Sequence, residues 1–139
     1  MSTVAYVPSP TDSPFDRLGG EAAVRAIVER FYDAMSDLEP ALARLHPCDE
    51  HGRVERASRD RFALFFIGWL GGPQDYVAQH GHPRLRMRHA RVPVDTAMAS
   101  AWMRCMTHAL DGAVAPDVRA FLEARLGEVA LHMRNQPSG

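Results

Sequence analysis

Apolar residues recur along this chain at every third or fourth position, with almost none of the alternation that a half-buried strand requires. Val24, Ile27, Val28, Phe31, Tyr32 and Met35 form the first stripe, opened by Gly19-Gly20 and closed by Pro40. Residues 41–46 add a short turn before Pro47, and residues 48–52 read as loop. A second helix is predicted over residues 53–70, with Val54, Ala57, Arg61 and Phe62, then Phe65, Phe66 and Trp69, on one broad face. Gly71-Gly72-Pro73 ends it, and a short piece follows at residues 74–79. Before Pro93 the pattern predicts a short helix with His89 near its C-terminal end and Leu85 four residues earlier on the same face. Asp95 or Thr96 caps the next helix, whose stripe is Met98, Trp102, Cys105, Met106 and Ala109. Asp111-Gly112 closes it. Pro116 suits the first turn of a last helix with Val118, Phe121, Leu122, Arg125, Leu126, Val129 and Met133 on its face, Arg125 snorkelling. The fold class is all-α: four substantial helices, several short ones and no internal repeat.

A length of 139 residues suggests one domain with a real core. Residues 1–14 hold three prolines and read as a flexible or surface-hugging arm, residues 15–135 as the globular body, and residues 136–139 as a tail. The 16 basic and 17 acidic residues balance, which argues against nucleic acid or an anionic membrane as partner. No apolar run approaches the ~20 residues of a membrane helix. The N-terminus lacks the basic and apolar regions of a signal peptide, so a reducing, cytoplasmic setting is expected. Cys48 and Cys105 form no C-x-x-C pair, and no C-x-x-C-H motif is present for covalent haem attachment.

The chemistry lies in the histidines. His80-x-His82 sits in a turn without an acidic or cysteine partner at ligand spacing, and a structural role is favoured. Glu128 and His132 stand four apart but lack the second such pair that a di-iron bundle needs. His89 differs in its company. If its face looks inward, it presents one imidazole to an apolar cavity, as a proximal haem ligand does. Arg84, Arg88 and Arg91 share one edge of the same helix, read either as a solvated face or as a reach toward anionic groups such as haem propionates. Tyr32 and Trp102 each put one polar hydrogen on a face expected to be buried.

Five separated motifs then agree with one family. Leu18-Gly19-Gly20, Arg30-Phe31-Tyr32, Trp69-Leu70-Gly71-Gly72-Pro73, the run from Gly81-His82-Pro83 to Arg88-His89, and Ala101-Trp102-Met103-Arg104-Cys105-Met106 resemble the truncated haemoglobins of group II. The resemblance covers residues 15–135. It implies a truncated globin, a two-over-two helical sandwich around haem b (iron protoporphyrin IX), with His89 as proximal iron ligand. On the distal side it implies Tyr32, Trp102 and His46, with Ser58 and Phe62 at the two distal-helix positions facing the iron. The stretch from Pro47 to Arg59 is a few residues longer than the family's pattern, which bears on the placement of Ser58 and Phe62. Phe31, Leu85, Phe65, Phe66, Val94, Met98 and Met106 are expected to wall the haem, and Arg84 and Arg88 to reach its propionates.

The implied function is reversible binding of O2, NO and CO, with tight O2 retention and redox turnover such as nitric oxide dioxygenation or a peroxidase-like reaction. Two hydrogen bonds at about 1.5–3 kcal/mol each slow release of a polarised O2 by a hundredfold or more. A mobile loop at His46 would also allow a six-coordinate ferric state, against which the neighbouring Pro47 argues. An unidentified reductase, and a monomeric or homodimeric chain, complete the expected partners. The alternatives are a haem-based gas or redox sensor without turnover and a haem-free helical protein in which His89 is structural.

Overall fold

Each helix starts and stops where the local chemistry dictates. Helix α1 (Pro14–Leu18) begins behind Ser13, whose hydroxyl accepts from the Asp16 backbone N–H at 3.1 Å, and places Pro14 at a first-turn position where its missing N–H costs nothing. The computed structural model describes residues 5–82 and 93–135, and six further helices follow in them. These are α2 (Glu21–Leu38), α3 (Pro40–Ala43), α4 (Arg56–Trp69), α5 (Asp75–His80), α6 (Thr96–Leu110) and α7 (Pro116–His132). The expected helix around His89, with Arg84, Leu85, Arg88 and Arg91, lies outside the described residues.

Helix α2 buries Val24, Ile27, Val28, Phe31, Tyr32, Ala34 and Met35, close to the stripe its periodicity predicts. It packs against both α4 and α6, and α6 packs in turn against α7. Two helix pairs, α2 with α4 and α6 with α7, are thus laid over one another through the α2–α6 contact. At about 1.5–3 kcal/mol for each large apolar side chain fully removed from water, this seam dominates the stability. Among the described residues there is no strand, only the isolated bridges Ser9–Asp12 and Cys48–Val54. No helix among them is long and apolar enough to cross a membrane.

Helix α4 starts three residues later than the apolar pattern suggests, because residues 53–55 belong to a closed loop. The Asp49 N–H donates to Arg53 O at 2.8 Å and the Glu55 N–H to Pro47 O at 2.9 Å. One Asp49 carboxylate oxygen also accepts from the backbone N–H groups of His51 and Arg53, a local turn that competes with helix. Within α4 the buried positions are Arg59, Ala63, Phe66 and Ile67, whereas Ala57 and Arg61 are exposed. The helix is therefore rotated relative to the expected face.

The junctions hold the layers in register. Gly71 adopts φ +98°, and a Cβ there would stand 2.9 Å from Ser13 Cβ. The Phe15 N–H donates to Leu70 O at 2.9 Å, docking α1 on the end of α4. Asp95, rather than Thr96, caps α6 through its side chain on the Met98 N–H at 2.8 Å. Val94 and Asn135 clamp the start of α6 to the end of α7 by two hydrogen bonds of 2.8 Å. Ahead of α1, Tyr6 is buried against Phe121 with ring centroids 5.3 Å apart.

Leu122, fully enclosed between α7 and the core, is a clean test of this packing. Leu122→Ala should cost about 2–5 kcal/mol, read from the urea midpoint, while Leu131→Ala, at a position 49% exposed, should change it little.

Candidate functional site

Three helices deliver aromatic side chains to one place. The Phe31 ring of α2 is sealed, and it lies 5.0 Å from Tyr32, 5.5 Å from Phe62 of α4 and 5.1 Å from Trp102 of α6, centroid to centroid. Tyr32 and Trp102 meet it edge to face, the arrangement that sets a positive ring edge against a negative face. Phe62 stacks on Phe66 at 5.4 Å, and the wall continues through Trp69 and Phe65 to Tyr76.

The polar atoms of this wall are the informative ones. Tyr32 is 4% exposed, and burial holds its phenol well above the usual tyrosine range, partly offset by the nearby Arg59 cation. Its hydroxyl therefore stays protonated, a donor. Ser36 Oγ is the single enclosed side-chain oxygen or nitrogen without a partner among the described residues. The Tyr32 hydroxyl and the Trp102 indole N–H bond to no described residue either, so both open onto accessible space.

His46 sits just past α3, its ring 5.8 Å from that of Tyr32 and nearly perpendicular to it. Its Nδ1 lies 3.1 Å from the Leu42 carbonyl oxygen. A carbonyl only accepts, so Nδ1 carries the proton in the neutral ring and Nε2 is left as an acceptor.

The other expected residues fall in two groups. Phe66 and Met106 are sealed inside the core, while Phe62, Phe65, Met98 and Trp102 are half-buried and leave apolar surface uncovered. Val94 is half-buried at the clamp. Ser58 is half-buried one turn before Phe62 on the same side of α4. His89, Arg84, Leu85 and Arg88 lie outside the described residues. Half-buried Phe, Met and Trp beside two donors that have no partner among the described residues fit a flat apolar macrocycle carrying a small polar ligand. Among the described residues no group of His, Cys, Asp and Glu could hold a metal ion by itself.

Behind Tyr32 lies a charged network that the apolar pattern does not disclose. Arg59, the sole buried charged residue among those described, donates through Nη1 to Glu29 at 2.9 Å and Asp33 at 3.0 Å, and through Nε to Val54 O at 2.9 Å. Arg56 also pairs with Glu29. Hydrogen bonding from Arg56, and then from Arg59, holds the Glu29 carboxyl below the usual range against the opposing effect of burial. A depressed folded pKa stabilises above the ordinary glutamate value of about 4.3 and is lost as pH falls through the folded value. Thermal stability should therefore decline as pH falls below the ordinary glutamate value of about 4.3, and Glu29→Gln should flatten that decline measurably in a melting series.

Comparison with known proteins gives a consistent picture. The family model described as bacterial-like globin matches residues 13–135. The group 2 truncated hemoglobin YjbI of Bacillus subtilis is 35% identical over 126 residues, spanning 90% of each chain. Among solved structures, the cold-adapted truncated hemoglobin of the Antarctic bacterium Pseudoalteromonas haloplanktis is 42% identical, with a TM-score of 0.82 over 90% of this chain and 99% of that one. The group II 2-on-2 hemoglobin of Agrobacterium tumefaciens is 35% identical, also at 0.82, over 94% and 100%.

Proposed function

The chain belongs to the bacterial-like globin family, as a group II truncated haemoglobin with the two-over-two fold, and from that premise we propose that it retains O2 tightly under Tyr32 and Trp102. The family binds gases through haem. In this reading the haem is of the b type, His89 holds it from the proximal side, and Arg84 and Arg88 reach its propionates. When bound, the haem would supply an iron able to take a diatomic ligand, with His89 as the residue that would hold it.

The remaining work falls to the chain's own side chains. The Tyr32 hydroxyl and the Trp102 N–H donate to the partly negative outer atom of the ligand, and His46 and Ser58 border the same space. Phe31 and Phe62 exclude water, which strengthens each donor by keeping the local dielectric low. At about 1.5–3 kcal/mol each, the two donors slow ligand release a hundredfold or more. Such retention suits redox consumption of nitric oxide, or a peroxidase-like reaction, better than rapid oxygen delivery, and calls for an electron donor such as a reductase. The observation that carries the reading is the pair of donors, unpartnered within the described chain, on one aromatic wall.

His89→Ala should abolish haem retention, checked by loss of the Soret band after reconstitution; normal retention would refute the proximal role. Tyr32→Phe and Trp102→Phe should each speed O2 dissociation by about tenfold or more in stopped flow, and unchanged rates in both would remove them from the distal network. Rapid mixing of the oxygenated protein with nitric oxide separates turnover, which yields nitrate, from a sensor that binds without reacting.

A further inference from the structure

We propose that Arg59 is a positioning residue for Tyr32, holding the phenol ring from behind and strengthening its hydroxyl as a donor to the distal ligand. This rests on the distal-donor reading above.

A buried guanidinium is costly unless its donors find acceptors, and here three acceptors from two elements receive them. Glu29 and Asp33, one turn apart on α2, flank the position of Tyr32 on that helix, and each accepts from Nη1. Val54 O accepts from Nε, and Val54 is itself buried as the anchor of the loop closed by its bridge to Cys48. Arg59 thereby ties α4, α2 and the loop after His46 to one point. Its guanidinium carbon lies 5.7 Å from the centre of the Tyr32 ring. Phe31, Phe62 and His46 bound the ring on other sides, so the cation completes the enclosure.

A fixed positive charge beside a phenol stabilises the oxygen's developing negative charge, and so makes the O–H a better donor. Arg61 adds to this effect from the surface and Glu29 opposes it. Arg59 is the member of the set that is desolvated, so its influence is the least screened by salt. Surface pairing alone does not require an arginine at this depth; Arg56 already bridges Glu29 and Asp60 from solvent.

The test uses the full haem-loaded protein with carbon monoxide as probe. The C–O stretching frequency reports the field of the distal donors, and the O2 dissociation rate reports their strength. Arg59→Met should move the stretch upward, toward the Tyr32→Phe value, and speed O2 release by about threefold or more, the range seen for coupled neighbours. In a Tyr32→Phe background the same substitution should add nothing, because the route through the hydroxyl is gone. Arg59→Lys, which keeps the charge but not the fork, should give a smaller shift, again only when Tyr32 is present. Should Arg59→Met fail to fold, the lysine pair decides alone. No shift in either background, or an equal shift in both, would overturn the proposal, since a purely structural arginine would act regardless of the hydroxyl. If Tyr32→Phe itself leaves the stretch unchanged, the distal-donor reading fails and this proposal with it. If Tyr32→Phe shifts it and the Arg59 variants do not, only the role of Arg59 is lost.

Discussion

The contact of Phe31 with Tyr32, Phe62 and Trp102 decides where everything else at the site can stand. One sealed ring takes a neighbour from its own helix, one from α4 and one from α6, at centroid distances of 5.0, 5.5 and 5.1 Å. Interiors pack at crystal-like density, so none of these rings can shift without displacing the others. The separation between the Tyr32 hydroxyl and the Trp102 N–H is therefore set by core packing and not by a loop. On the proposed function, two donors held this way would lose little entropy when a ligand arrives, so their hydrogen bonds would count in full.

That rigidity has a cost on its polar side. A hydroxyl and an indole N–H on an apolar wall, with no partner in the described chain, add less to stability than apolar atoms of the same shape, a cost that their opening onto accessible space keeps small. Arg59 repeats the problem at a similar depth, and the fold offsets it with two carboxylates and a carbonyl. The two cases differ in kind. Arg59 finds acceptors within the chain and so belongs to the scaffold, whereas the two donors on the wall have no partner among the described residues and face accessible space.

The helices were legible because burial imposes a three-to-four repeat, and the stripe of α2 emerged almost residue for residue. The cap of α6, the start of α7 and the glycine junction after α4 were legible because Asp95, Pro116 and Gly71 each answer a specific backbone need, whereas Ser13 and the short α1 behind it were not read from the sequence. Arg59 was not. An arginine reads as solvated, and the apolar count favoured a face containing Arg61, which is exposed in the structure. What turns α4 toward Arg59 is a set of acceptors contributed by another helix and by the loop that leads into α4, and no periodicity within α4 carries that information. Family motifs brought Tyr32 and Trp102 together before any geometry did, since 70 residues separate them.

Protonation separates the distal residues further than their shared location suggests. Burial keeps the Tyr32 phenol protonated, and an indole N–H does not titrate, so these two donate at any ordinary pH. His46 spends its Nδ1 proton on the Leu42 carbonyl, which leaves Nε2 an acceptor in the neutral ring. It donates through Nε2 only when doubly protonated. The three polar groups are thus not equivalent: two are donors, and the third, with its Nδ1 proton committed to Leu42 O, offers an acceptor in the neutral ring. At neutral charge His46 is suited to accept from a neighbouring hydroxyl, a role that would orient a donor and not act as one. On the proposed function, retention of a polarised ligand would rest on Tyr32 and Trp102, and through Tyr32 on the cation 5.7 Å from its ring centre.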